Sequence, residues 1–111
     1  MPGLFLIDEE ERLTYEGDGF KIYYRRIDNE RRARFAEQKT RMGTLNAHAF
    51  TLAILEWCII GWDGFFRMKG DRREPIPFET SLIKYIPDDV AAKLIVLIDA
   101  NVEPEVAELG N

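Results

Sequence analysis

Gly61-Trp62-Asp63-Gly64 is the stretch on which the reading of this chain turns, because a very apolar segment, 44–60, runs straight into it. At helical spacing, Phe50, Ala53, Ile54, Trp57 and Cys58 share one broad face. Leu45, Leu52, Leu55 and Ile59 cover much of the rest, and Asn46, His48, Thr51 and Glu56 are the polar interruptions. A helix apolar nearly all round is a central one, or one that meets a partner subunit. Thr44 suits its N-cap and Gly61 its C-terminal stop, so the spacing predicts a helix over 44–60.

Downstream, Phe65 to Lys69 reads as a short strand with Lys69-Gly70-Asp71-Arg72 as its turn. Pro75-Ile76-Pro77-Phe78 must be extended, since proline lacks the N–H a helix needs and biases the residue before it toward β. A short helix is expected from Thr80 or Ser81 to Tyr85. Pro87 suits the first turn of a last helix, where Asp88 and Asp89 favour the positive end of its dipole. Val90, Leu94, Leu97 and Ile98 form its apolar stripe, and Asn101 and Pro104 end it.

Upstream, Leu4 to Ile7 is a candidate edge strand. Arg12-Leu13-Thr14-Tyr15 and Phe20 to Arg25 flank Glu16-Gly17-Asp18-Gly19, a β-hairpin pattern. Phe20, Ile22 and Tyr24 alternate onto one face, and a lone hairpin is marginal, so that face must pack on a helix or on another chain. Asp28 or Asn29 can cap a solvated helix running to Met42, with Glu30–Arg34 and Glu37–Arg41 at i,i+4 spacing and Gly43 as its stop. The expected fold is therefore α+β and mainly α: an N-terminal hairpin packed on a bundle of about four helices, in one domain over 1–111, with an acidic mobile tail over 102–111.

The 111 residues suit one domain, and 46% hydrophobic with 32% charged residues is a globular balance. Cys58 is the one cysteine, so no internal disulfide can form and a reducing cytoplasm is the default. Met1 to Asp8 does not read as a signal peptide. The longest apolar run falls short of the ~20 residues a bilayer requires, so no membrane association is expected.

Catalytic chemistry is thinly represented. His48 and Cys58 lie ten residues apart, about 15 Å along one helix, too far for a nucleophile–base pair. One His and one Cys make no zinc cluster, Asp63-Gly64 and Gly70-Asp71 lack the spacing of a calcium loop, and no phosphate-binding glycine loop occurs. No enzyme activity, cofactor, metal or catalytic residue is expected.

Charge is uneven. Residues 21–41 hold eight cations and three carboxylates, +5, which leaves −10 for the rest of a chain whose net charge is −5. Arg25, Arg31, Arg32 and Arg34, with Arg26 among them, lie near Tyr23 and Tyr24 and offer a nucleic-acid or regulatory alternative that uses the basic segment 21–41. The simpler expectation is that this face pairs with the chain's own acidic segments or with an acidic protein, so nucleic acid is not the expected partner. Trp57, Trp62 and Phe78 are the expected structural anchors. Phe65 and Phe66 cannot both face inward from one strand, so they join the four arginines as candidate partner-binding residues.

Ile60-Gly61-Trp62-Asp63-Gly64, Pro75-Ile76-Pro77-Phe78, Leu82 and Tyr85-Ile86-Pro87 with a final apolar helix resemble the small tail assembly chaperones and minor tail proteins of phages and prophages. Phe20 to Ile27 followed by Asp28-Asn29-Glu30-Arg31 is similar to the strand-to-helix passage of such proteins, so the likeness spans residues 20–100. It departs from the pattern at Gly70-Asp71, where such proteins often carry Asp-Gly, in a longer and more basic loop. The resemblance implies a non-enzymatic accessory of tail assembly, a chaperone or minor structural component that binds other tail proteins such as a tape-measure protein. The surplus of apolar surface adds the expectation of a homo-oligomer.

Overall fold

The computed structural model describes residues 3–104. Strands β1 (Leu13–Glu16) and β2 (Lys21–Tyr24) form the expected hairpin. Helix α1 (Asn29–Gln38) follows, then a small hairpin of β3 (Thr40–Arg41) and β4 (Thr44–Leu45). Helix α2 (Ala47–Cys58) runs directly into β5 (Ile59–Asp63), and β6 (Phe66–Lys69) and β7 (Arg72–Pro75) make a third hairpin. A 3-10 segment (Thr80–Tyr85) and helix α3 (Asp88–Asp99) complete the elements of the described residues.

The mainly helical expectation is overturned. The described residues are 39% helix and 25% strand, with three small sheets and three helices of seven or more residues among them, so the fold is not a hairpin on a four-helix bundle. The main error lies at 59–63. β5 pairs antiparallel with β2 in a sheet of order β1-β2-β5, with Ile22 opposite Trp62 and Tyr24 opposite Ile59. The β2 edge therefore captures the β-branched Ile59-Ile60 before Gly61 is reached, and a tertiary ladder outweighs helix periodicity. A register shift between Tyr23 and Tyr24 leaves Ile60 as the bulged, partly exposed residue.

A second error lies at 39–46. Met42 (φ 52) and Gly43 (φ 78) make a two-residue turn between Arg41 and Thr44, so α1 stops at Gln38 and Asn46, not Thr44, caps α2 through Ala49 N–H at 3.1 Å. Leu4 to Ile7 carries no strand. The other expectations fare better. Asp28 caps α1 through Arg31 N–H at 2.8 Å, and Lys69 pairs with Arg72 around Gly70-Asp71 with positive φ at Gly70 only, the type II′ pattern. The acidic tail lies, from residue 105 on, outside the described residues.

The core sits between the sheet and α2. Leu13, Ile22, Tyr24 and Trp62 from the strands meet Ile54, Leu55 and Cys58 from α2, Ile83 from the 3-10 segment, and Leu94 and Ile98 from α3. Helix α2 is central, touching α1, α3 and the 3-10 segment. The N-terminal strap is tied down by a buried ion pair. Arg26 Nε donates to Glu11 Oε2 at 2.7 Å, while its Nη2 donates to Glu11 Oε1 and to the carbonyls of Phe5 and Leu6. Both side chains are almost fully enclosed. No helix among the described residues is long and apolar enough to cross a membrane. The envelope measures 47 × 43 × 21 Å, so it is about two layers thick and much of each element faces outward.

Glycine is obligatory at one junction. Gly64 has φ +80, and a Cβ there would stand 2.3 Å from the Gly19 carbonyl oxygen in the first hairpin's turn. Gly19 also has φ +80, but a Cβ there meets nothing. Urea denaturation is expected to show Gly19→Ala losing about 1 kcal/mol, the ordinary left-handed penalty, and Gly64→Ala losing about 1–3 kcal/mol more because backbone must move. Replacing Glu11 by Gln strips the charge partner from a buried guanidinium and is expected to cost about 3–5 kcal/mol in the same assay.

Candidate functional site

An apolar groove of about 740 Å³ opens where β5, β6, the 76–78 segment, the 3-10 segment and the start of α3 meet. Its construction begins at Trp62. The β2–β5 register places Trp62 opposite Ile22, on the inward face of the sheet. Its indole Nε1–H donates to the Ile76 carbonyl at 2.9 Å, which fixes the chain as it leaves β7, and Ile76 N–H donates to the Phe65 carbonyl at 2.8 Å. Phe65 stacks on Trp62 with centroids 4.2 Å apart and planes 8° from parallel, and Phe78 meets the indole edge-on at 4.9 Å. Phe20 stands edge-on to Phe65 at 5.9 Å and continues the row to Tyr15. Aromatic pairs at such separations contribute beyond their area, so the row is a rigid floor.

The expected partner-binding residues fall in two places. Phe65 and Phe66 both line the groove, and they divide as alternation requires: Phe65 is half-buried against Trp62, while Phe66 is 44% exposed with the Arg73 guanidinium 4.0 Å above its ring. Of the expected anchors, Trp62 is 7% exposed, Phe78 packs against the core, and Trp57 sits elsewhere, at the α1–α2 side.

The four arginines are engaged within the chain, close to Trp57 or to carboxylates. Arg25 lies 3.8 Å over the Trp57 ring and donates to the Trp57 carbonyl, and Arg31 lies 4.4 Å over the same ring, near Glu9 and Asp28. Arg32 pairs with Asp99 at the end of α3, and Arg34 with Glu30. The indole between two guanidiniums bridges α1 to α2, a structural use of the basic run.

Sequence reasoning missed the far wall of the groove: Ile76, Leu82, Tyr85, Ile86 and Val90. Tyr85 is 72% exposed with its ring beside Lys84. The Pro-Ile-Pro-Phe and Leu82–Tyr85 motifs held the signal, but nothing local says that they face Phe66. The buried Arg26–Glu11 pair carried no signal, being one arginine in a run of them.

Titratable chemistry is sparse. Cys58 is fully buried, and loss of solvation pushes its thiol up to about 12. The Tyr23 hydroxyl bonds to Asp63 at 2.5 Å on the outer face of the sheet, and that bond to a carboxylate raises it above the usual phenol range. Among the described residues no group of three or more His, Cys, Asp or Glu is placed to hold a metal ion. Comparisons with protein-family models, with curated proteins and with solved structures found no match to this chain.

The thiol supplies a pH test. The folded state keeps its proton to about 12 while the unfolded thiol releases it near the ordinary value of 9.0. The folded state therefore binds more protons in that window, and stability present in full below it declines as pH rises through it, by roughly 1.4 kcal/mol per unit at most. Chemical denaturation across the window is expected to show a shallower decline for Cys58→Ala than for the parent. A thiol reagent at neutral pH is expected to label Cys58 only as fast as the chain unfolds.

Proposed function

We propose that this protein works by binding other polypeptides, without chemistry of its own, as a tail-assembly accessory of a phage or prophage. The observation that carries the reading is the open aromatic groove, with Phe66 and Tyr85 presented to solvent over a floor held rigid by Trp62. Surface aromatics beside desolvated floors are the usual anchors of protein contacts. An exposed apolar patch rimmed by polar groups is a mark of an interaction site. The tail-protein component of the reading is supported by the same segment, since Gly61-Trp62-Asp63-Gly64, Pro75-Ile76-Pro77-Phe78 and Tyr85-Ile86-Pro87 are both the motifs of the resemblance and the frame of the groove. The expected partner is a tail component such as a tape-measure protein, and the expected setting is the host cytoplasm or the particle itself. The engagement of Arg25, Arg31, Arg32 and Arg34 inside the chain leaves the nucleic-acid alternative without a supporting observation.

The test is co-purification from cells that also express the neighbouring genes. Capture of a tape-measure protein is expected, and Phe66→Asp is expected to weaken it at least about tenfold, the loss of one anchor. No capture, or capture indifferent to Phe66, would count against the reading.

A further inference from the structure

The groove has a polarity that the aromatic floor does not explain. On its β6 side stands the hairpin of β6 and β7. Residues 66–75 carry Arg67, Lys69, Arg72 and Arg73 against Asp71 and Glu74, a net +2, whereas the rest of the chain then carries −7 of its total of −5. Arg67 lines the groove and Arg73 covers Phe66 beside it. Glu74 lies 4.0 Å from Arg67 and from Lys69, so one carboxylate serves two cations. The other side is the start of α3. Pro87 and Val90 line the groove, and between them Asp88 and Asp89 are exposed in the first helical turn, with Glu79 exposed just upstream. Lys84, over Tyr85, is the cation on that side.

An apolar strip with cations along one border and carboxylates along the other is complementary to itself after a half-turn. The cationic border of one molecule then meets the acidic border of the next, and the two floors meet each other, which is the isologous arrangement of a two-fold dimer. The hairpin adds a second reason. All of β6 is exposed, Phe66 and Met68 point to one side of it, and a two-stranded hairpin is marginal on its own. Packing Phe66 against a second floor would give it the third layer it lacks.

We propose that the groove closes on a second copy of this chain, as a two-fold dimer in which Arg67 and Arg73 of each molecule face Asp88 and Asp89 of the other. The proposal rests on the groove being a contact surface, as argued above; a second copy and a tail protein compete for it, so the dimer is the form the chain takes until a tail protein displaces the second copy.

Sedimentation velocity across micromolar concentrations tests it with two charge-reversed chains. One carries Arg67→Glu and Arg73→Glu, the other Asp88→Lys and Asp89→Lys. All four side chains are exposed, so near-ultraviolet circular dichroism should show both chains folded. The parent is expected to dimerise and each variant to dimerise at least about tenfold more weakly, from like-charge apposition. Mixing the two variants is expected to restore dimers, because both borders of the mixed pair are again opposite in sign. The milder Arg67→Gln with Arg73→Gln should weaken self-association in the same direction. A parent that stays monomeric, or a dimer that ignores the reversals, overturns the proposal. A monomeric parent that still captures a tail protein through Phe66 would sink the dimer and leave the functional reading standing. A charge-sensitive dimer that captures none would do the opposite.

Discussion

The passage from α2 into β5 at Cys58–Ile59, with no loop between them, is the constraint on which the rest of the structure depends. A helix end normally leaves carbonyls to be satisfied by a cap or by solvent. Here the edge of β2 takes up the chain at once: Arg25 N–H donates to the Cys58 carbonyl at 2.9 Å and the ladder continues to Asp63. That junction fixes the phase of β5, and with it the side of the sheet from which Trp62 projects. A slip of one residue would turn Trp62 outward and Gly61 inward. The indole would then lose its bond to Ile76, Phe65 would lose its stacking partner, and the β6–β7 hairpin would have no fixed base.

Two further interactions fasten other segments to this frame. Arg26, paired with Glu11, also holds the carbonyls of Phe5 and Leu6, and Asn101 bonds to Gly3 and Phe5. The ion pair's value is less in net stability, since desolvating two charges offsets much of their attraction, than in making any other path for the strap costly. The Trp57 sandwich between Arg25 and Arg31 ties α1 to α2 with groups that stay partly hydrated. Five arginines of the basic run, Arg25, Arg26, Arg31, Arg32 and Arg34, thus make contacts within the chain.

How much was legible in the residues follows the range of each signal. Turn chemistry is local, so Gly17 to Gly19 and Gly70-Asp71 were readable directly, and the cap of α1 was narrowed to Asp28 or Asn29. The apolar run 44–60 was correctly central, but its length was not readable. Ile59 and Ile60 satisfy a helical stripe and a strand equally, and only the presence of β2 decides between them. Met42-Gly43 was obscured because methionine is a poor signal for a left-handed turn. Its side chain is fully exposed, with φ 52, so the turn is imposed by the pairing of Thr40 with Leu45 and of Arg41 with Thr44. For the groove, Phe65 and Phe66 were nominated because adjacent aromatics on a strand must split. The opposite wall, from Leu82 to Val90, required knowing that the chain returns past β6.

The helix-to-strand junction can be measured without reference to any function. Backbone chemical shifts over residues 55–64 in solution, with cross-strand proton contacts between Ile22 and Trp62, report it directly. The structure predicts helical shifts through Cys58, strand shifts from Ile59 to Asp63, and the Ile22–Trp62 contact. Helical shifts running on through Ile60 without that contact would contradict the fold, and the groove built upon it would go with them.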